Sequence, residues 1–246
     1  MRHRGTALVC GFWDEASGLG GLAWSLEGAS GGLLAQEGDA KPTTLEIDET
    51  ESGLRIRLDA DGGGCEVDLA GPASEAALTS PDGEAPAGEP SAAIRTAAVR
   101  IEAGADGPAL ECFGHLTRWK TNPLASLASM RHLAIPASEG ALLVVTGGGA
   151  AETAGHGEEN VGAWLLGPEG EPSAFAEALL STQYDDAGRQ TRAGLELWPS
   201  DPDAPPSRAA GTALGALADG EGVSAALLRS SMEGTRGLGS YLIRRS

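Results

Sequence analysis

The chain has 246 residues, enough to bury the core of one large all-β unit or of two smaller domains. Its formal net charge of −18, from 35 acidic against 17 basic side chains, repels phosphate backbones and anionic membrane faces, so nucleic acid is not an expected partner. Aromatics make up only 4% of residues and glycines number 37, so the core is built from small pieces.

The first residues, MRHRGTALVCGFWDEAS, hold a short apolar run that ends at Asp14 and Glu15, too short for a usual signal peptide. No apolar run reaches the roughly 18 residues of a membrane-spanning helix. Cys10, Cys65 and Cys112 are odd in number, widely spaced and without a CxxC pair, so neither a disulfide framework nor a zinc site follows. A cytoplasmic protein without a membrane span is expected. The run GLGGLA (18–23) matches the loose form of a dinucleotide-binding turn, but the following WSLEGASGG cannot sustain the helix that would receive the phosphate. Gly18, Gly20 and Gly21 read as a hairpin turn, and no cofactor is expected.

From residue 43 onward, alternation with a period of two dominates. TTLEIDE (43–49), GLRIRLDA (53–60) and CEVDLAG (65–71) each set apolar against charged residues, with turn-forming TESG and DADGGG between them. They predict an antiparallel meander with one face buried and one charged. A Pro/Ala/Glu/Ser stretch (72–93) reads as a long loop. IRTAAVRIEA (94–103) and PALECFGHLTRW (108–119) form a hairpin, followed by strands in RHLAIPA, ALLVVTG and VGAWLLG. LSTQYDDAGRQTRAGLELW (180–198) is a hairpin with Gly188 placed for positive φ, and two further strand–turn–strand runs close the chain. Helix is scarce: Leu124–Met130 and Pro172–Leu180 could each supply two turns. KTNP breaks the pattern mid-chain. The expected architecture is all-β, two consecutive antiparallel barrels or half-barrels packed together with little helix, divided as 1–120 and 121–246.

The densest cluster of chemically distinctive residues is ECFGHLTRWKTNP (111–123). Alternation puts Glu111, Phe113, His115, Thr117 and Trp119 on one face and Cys112, Gly114, Leu116 and Arg118 on the other. Aromatic walls with a few polar anchors suit the inside of a ligand-holding barrel. There His115 would donate or accept a proton, with Glu111 two pleats away to tune it. Packing of His115 on Trp119 at a barrel end accounts for the same pattern. Arg131 and His132 add polar groups on a neighbouring strand, and Trp164 adds an aromatic wall. His156, Glu158 and Glu159 sit on a Gly-flanked loop, where surface acids need no explanation in so acidic a chain. Two histidines and a glutamate lack a recognised ligand spacing, so no metal site is expected. GxSxG, HExxH, P-loop and EF-hand motifs are absent from the sequence.

Several segments (FWDEASGLGGLAWSLEG, ALECFGHLTRW, SMRHLAIPASEGALLVVTGGGAAETAGHGEENVGAWLL, LSTQYDDAGRQTRAGLELW and MEGTRGLGSYLIRR) resemble a group of high-GC bacterial proteins. That group is distantly similar to the lipocalin-like superfamily containing AttH and the carotenoid 1,2-hydratases (hydroxyneurosporene hydratases). The resemblance implies two consecutive lipocalin-like β-barrels. It places Gly114, His115, Arg118 and Trp119 at the W-G-x-R-x-W-like junction between barrels, without the inner Trp-Gly, and supplies no match for the acid that would protonate a polyene. The function it leaves is enclosure of an apolar small molecule, with hydratase, isomerase or cyclase-type proton transfer through His115, Glu111 or Arg118. Phe113, Trp119, Arg131, His132 and Trp164 would be the ligand contacts. The other reading is a non-catalytic structural or protein-interaction β-domain whose interior its own side chains fill. A cavity near Trp119 would favour the first.

Overall fold

The computed structural model describes residues 7–14, 16, 18–26, 29–36, 39–51, 53–61, 63–70, 75–79, 90–101, 110–137, 140–149, 159–168, 171–219 and 222–245. Two nine-stranded antiparallel sheets follow one another along the chain. The first contains β1 (Ala7–Asp14), β2 (Leu19–Leu26), β3 (Ala29–Gln36), β4 (Asp39–Thr50), β5 (Gly53–Ala60), β6 (Gly63–Ala70), the short β7 (Ala76–Ala77), β8 (Pro90–Ile101) and β9 (Leu110–Trp119). The second contains β10 (Ser129–Pro136), β11 (Leu142–Gly149), β12 (Asn160–Leu166), β13 (Pro172–Ala174), β14 (Glu177–Tyr184), β15 (Gln190–Trp198), β16 (Ser207–Ala218), β17 (Val223–Met232) and β18 (Thr235–Arg245).

Pairing of β6 with β8 closes the first sheet into an eight-stranded barrel, with β7 hanging on β8. An eight-stranded barrel is just wide enough for its own side chains. Leu8, Phe12, Leu54, Ile56, Leu58, Val67, Leu69 and Leu116 are among those that fill this one. The second sheet runs β13-β12-β11-β10-β18-β17-β16-β15-β14 and curls into a half-barrel whose end strands β13 and β14 share no ladder. Strands β1–β4 of the barrel pack against β16–β18 of the half-barrel. No helix among the described residues is long and apolar enough to cross a membrane.

The expected meander is β4–β6, with Arg55, Arg57, Glu66 and Asp68 pairing on its outer face. β8 begins at Pro90, earlier than the 94 expected, and β7 lies inside the stretch read as loop. Both helical expectations are overturned. Only a single 3-10 turn, Pro123–Ala125 capped by Asn122, occupies the first, and β10 starts at Ser129. The second is β13 and β14, where Ala178 and Leu180 are buried between exposed neighbours, a period of two that outweighs the helix-forming Ala and Leu. Of the three glycines read as a turn, only Gly18 (φ 65°) is in one. Gly20 and Gly21 lie inside β2, and a Cβ on Gly21 would sit 2.2 Å from the Phe12 ring. Gly188 has the expected positive φ, 77°. The three cysteines are free and buried.

A buried polar seam between barrel and half-barrel

β9 is buried on both faces, and alternation sorts its side chains as expected. The barrel interior, however, takes Cys112 and Leu116, while Phe113, His115 and Trp119 point outward into the seam with the half-barrel. The face expected to line the barrel therefore lines the joint instead. The reason lies in volume: the closed barrel is already filled by Phe12 and aliphatic side chains, which leaves no room for the rings of Phe113, His115 and Trp119.

On the opposite wall, β10 and β18 are hydrogen-bonded neighbours with Arg131 opposite Ile243 and His132 opposite Leu242. Met130, Ala134, Leu238 and Leu242 pack in the seam, which places His132 and Ser240 there by alternation. Arg131 and Tyr241, one residue away on each strand, face the half-barrel interior.

The seam thus gathers an aromatic chain. Trp13 packs on Phe113 with ring centroids 5.0 Å apart and on His115 at 5.7 Å. His115 lies 6.0 Å from His132, and His132 meets Trp119 edge-on at 5.4 Å. Trp164 shares the same apolar cluster as Trp13, and its Nε1 donates across the joint to the Thr79 carbonyl at 2.9 Å. Gly11, opposite His115 on β1, makes this approach possible, since a Cβ there would stand 2.6 Å from His115 Nε2.

The polar atoms are sparsely paired. His115 Nε2 and Ser240 Oγ are 2.8 Å apart across the joint. His115 Nδ1, both ring nitrogens of His132, Thr117 Oγ1, Thr146 Oγ1 and Trp119 Nε1 are buried with no hydrogen-bond partner among the described residues. Thr146 is the β11 residue directly opposite His132. Burial alone pushes His115 down to about 3, and burial followed by the neighbouring His115 holds His132 well below the usual range. Both imidazoles are therefore neutral near pH 7, able to donate at one nitrogen and accept at the other. They cannot serve as imidazolium acids there.

Five of the eight expected site residues meet here: Phe113, His115, Trp119, His132 and Trp164. Three do not. Glu111 is exposed at the far end of β9 and contributes nothing to the His115 shift. Arg118 points into the barrel mouth, where Glu75 (2.9 Å) and Glu49 (3.3 Å) hold it. Arg131 lines the half-barrel and pairs with Glu159. His156 and Glu158 lie outside the described residues. Trp13, Thr146 and Ser240 were not singled out by the sequence. Their neighbours in the fold come from other strands, and pairing across the chain is not written in local pattern.

The seam is closed. A space of about 10 Å³ remains beside Trp13, Ala35, Leu214 and Leu227. A groove of about 590 Å³ runs along the outer face of β14–β17, lined by Leu179, Ser181, Glu196 and Arg208 among others, and no seam residue borders it.

No family model matches the chain, and no curated protein matches it in sequence. Its fold matches that of a provisionally assigned AttH from Nitrosomonas europaea, with 11% identity and a TM-score of 0.69 over 97% of this chain and 92% of that one. It also matches CghA, solved alone and with Sch210972, at 11% and 10% identity and a TM-score of 0.57, over 98% of this chain and 88% of those. The lipocalin-like architecture implied by the sequence resemblance is the one found.

Proposed function

Starting from an AttH-like fold, we propose that this protein encloses an apolar small molecule at the seam, held between His115 and His132. One observation carries the reading: six polar atoms on five buried side chains converge among aromatic rings without protein partners. A buried polar group left unpaired costs about 1–3 kcal/mol, so such a cluster is costly unless a guest completes it. The guest must be neutral, because no carboxylate or cation contributes to the shifts of either imidazole. It must also offer both acceptors, for the Trp119 N–H, and donors, for the threonine and imidazole lone pairs. A polycyclic or isoprenoid skeleton bearing carbonyl or hydroxyl groups has that chemistry.

Barrel and half-barrel are separate hydrogen-bonded sheets, so the guest enters by parting them as rigid bodies. Chemistry at this site would be that of a neutral imidazole. His115, with Ser240 setting its tautomer, would take a proton from the guest and return it at another position, as an isomerase or cyclase requires. CghA, which has a similar fold, has a structure with Sch210972, and this supports the reading.

The alternative, a protein-interaction β-domain, is favoured by one observation: Leu179, 54% exposed, stands in the outer groove of the half-barrel. Extraction of the purified protein followed by mass spectrometry separates the two readings. Seam binding predicts a neutral small molecule near one equivalent in the wild type and its loss from folded His132→Leu. An empty wild type, or equal amounts in both proteins, would favour the interaction reading.

A further inference from the structure

The half-barrel carries a second cluster, back to back with the seam across β10 and β18. Arg131, 1% exposed, is paired with Glu159, and its Nη1 donates to the Leu180 carbonyl at 3.0 Å and lies 3.4 Å from Thr182 Oγ1. Thr182 Oγ1 and the Tyr241 hydroxyl are 2.6 Å apart. The Arg131 Nε–H and the Tyr184 hydroxyl are buried without a hydrogen-bond partner among the described residues. Tyr184 follows Thr182 on β14 and packs against the same half-barrel core as Tyr241, on the side where Arg131 contacts Leu180 and Thr182.

The surrounding side chains are small. The half-barrel core includes seven alanines (Ala137, Ala141, Ala163, Ala178, Ala193, Ala209 and Ala226), whereas the buried barrel core holds two, Ala23 and Ala97. Gly147 faces Arg131 directly on β11. A Cβ there would meet nothing closer than Val161 at 3.4 Å and would stand 3.8 Å from Arg131 Nε, so a recess at least a methyl group wide adjoins the free N–H. Thr182 and Tyr184 belong to β14, the end strand that does not pair with β13, so the cluster borders the unclosed side of the sheet.

We infer that this recess is a second binding site, distinct from the seam, for an uncharged apolar molecule ending in an acceptor oxygen, a ketone, ester or ether. Arg131 and Glu159 already cancel each other, so a carboxylate or an ammonium group would leave a net charge buried, and a neutral oxygen would not. The oxygen accepts from Arg131 Nε–H and Tyr184 O–H, and the hydrocarbon lies along the alanine-lined wall.

Calorimetric titration with 2-undecanone, beside decanoate and undecane, tests this. The ketone is expected to bind saturably and decanoate at least tenfold more weakly. Gly147→Ala, which fits the fold but fills the recess, should raise the ketone Kd at least tenfold. Tyr184→Phe should raise it about fivefold without lowering Tm, and serves alone if Gly147→Ala fails to fold. His132→Leu should leave it within twofold, which separates this site from the seam. No saturable ketone binding, tighter binding of decanoate, or sensitivity to His132→Leu with none to Gly147→Ala would overturn the inference.

Discussion

His132 is the residue on which most turns. It is wholly buried, neutral, and presents two unpartnered nitrogens. Both seam histidines have folded-state values below their ordinary one, so the unfolded chain binds more protons and stability falls as pH drops below about 6.5. Between pH 6.5 and 5 His115 contributes a loss of roughly 2 kcal/mol, and His132 adds a loss of the same sign. Urea midpoints measured at pH 7 and pH 5 should show it, and His132→Leu should reduce the difference. At pH 7 the same variant should melt at or above the wild type, since leucine carries no polar atom to leave unpaired. Gly11→Ala should act in the opposite sense. With its Cβ 2.6 Å from His115 Nε2, it forces the ring from Ser240 and should cost about 1–3 kcal/mol. A variant as stable as wild type would show that the ring moves freely.

Among the elements, β9 and β14 show what local pattern can and cannot say. Alternation along β9 sorted His115 from Leu116 correctly, yet the inward face was assigned to the wrong set. The usual cue, one polar face, is missing when a strand is buried on both sides, and the near-continuous burial from Cys112 to Trp119 is the sign of that situation. β1, ALVCGFWD, is another such strand: an apolar run without alternation that local pattern did not mark as a strand. At β14 the helix-forming Ala and Leu concealed a period of two that only the buried pair Ala178 and Leu180 reveals. Hairpins were more legible because turn chemistry is local. Gly188, at φ 77°, predicts that Gly188→Ala costs about 1–2 kcal/mol in thermal denaturation, a strain no neighbouring contact relieves. Trp164→Phe should cost about 1 kcal/mol by losing the bond to Thr79, one of the polar links across the joint.

At the scale of the whole molecule, the joint holds much of the buried core and is where the proposed guest would sit. Two of the four apolar clusters lie in it, one holding Val9, Leu22, Leu33 and Leu242, the other Trp13, Val144, Trp164 and Leu238. Neither half keeps its buried surface without the other, so calorimetry should give one transition with equal calorimetric and van't Hoff enthalpies. Two separated transitions would mean that the seam is a weak contact. Two consecutive antiparallel β units were readable from the strand pattern and the mid-chain break, and their lipocalin-like character from the resemblance, but their mutual face was not, because it is made by residues far apart in the chain. That is why five of the expected residues come together in the joint although they were expected to line the inside of the barrel.

The most direct measurement is long-range ¹H–¹⁵N NMR of the ring nitrogens, with only four histidines to assign. It would be recorded from pH 8 to 5 on protein as purified and again after solvent extraction. The account predicts that His115 and His132 stay neutral throughout, and that the His132 nitrogens shift most when the extracted molecule is removed. Titration of either residue near 6.5, or extraction shifts confined to the other histidines, would contradict it.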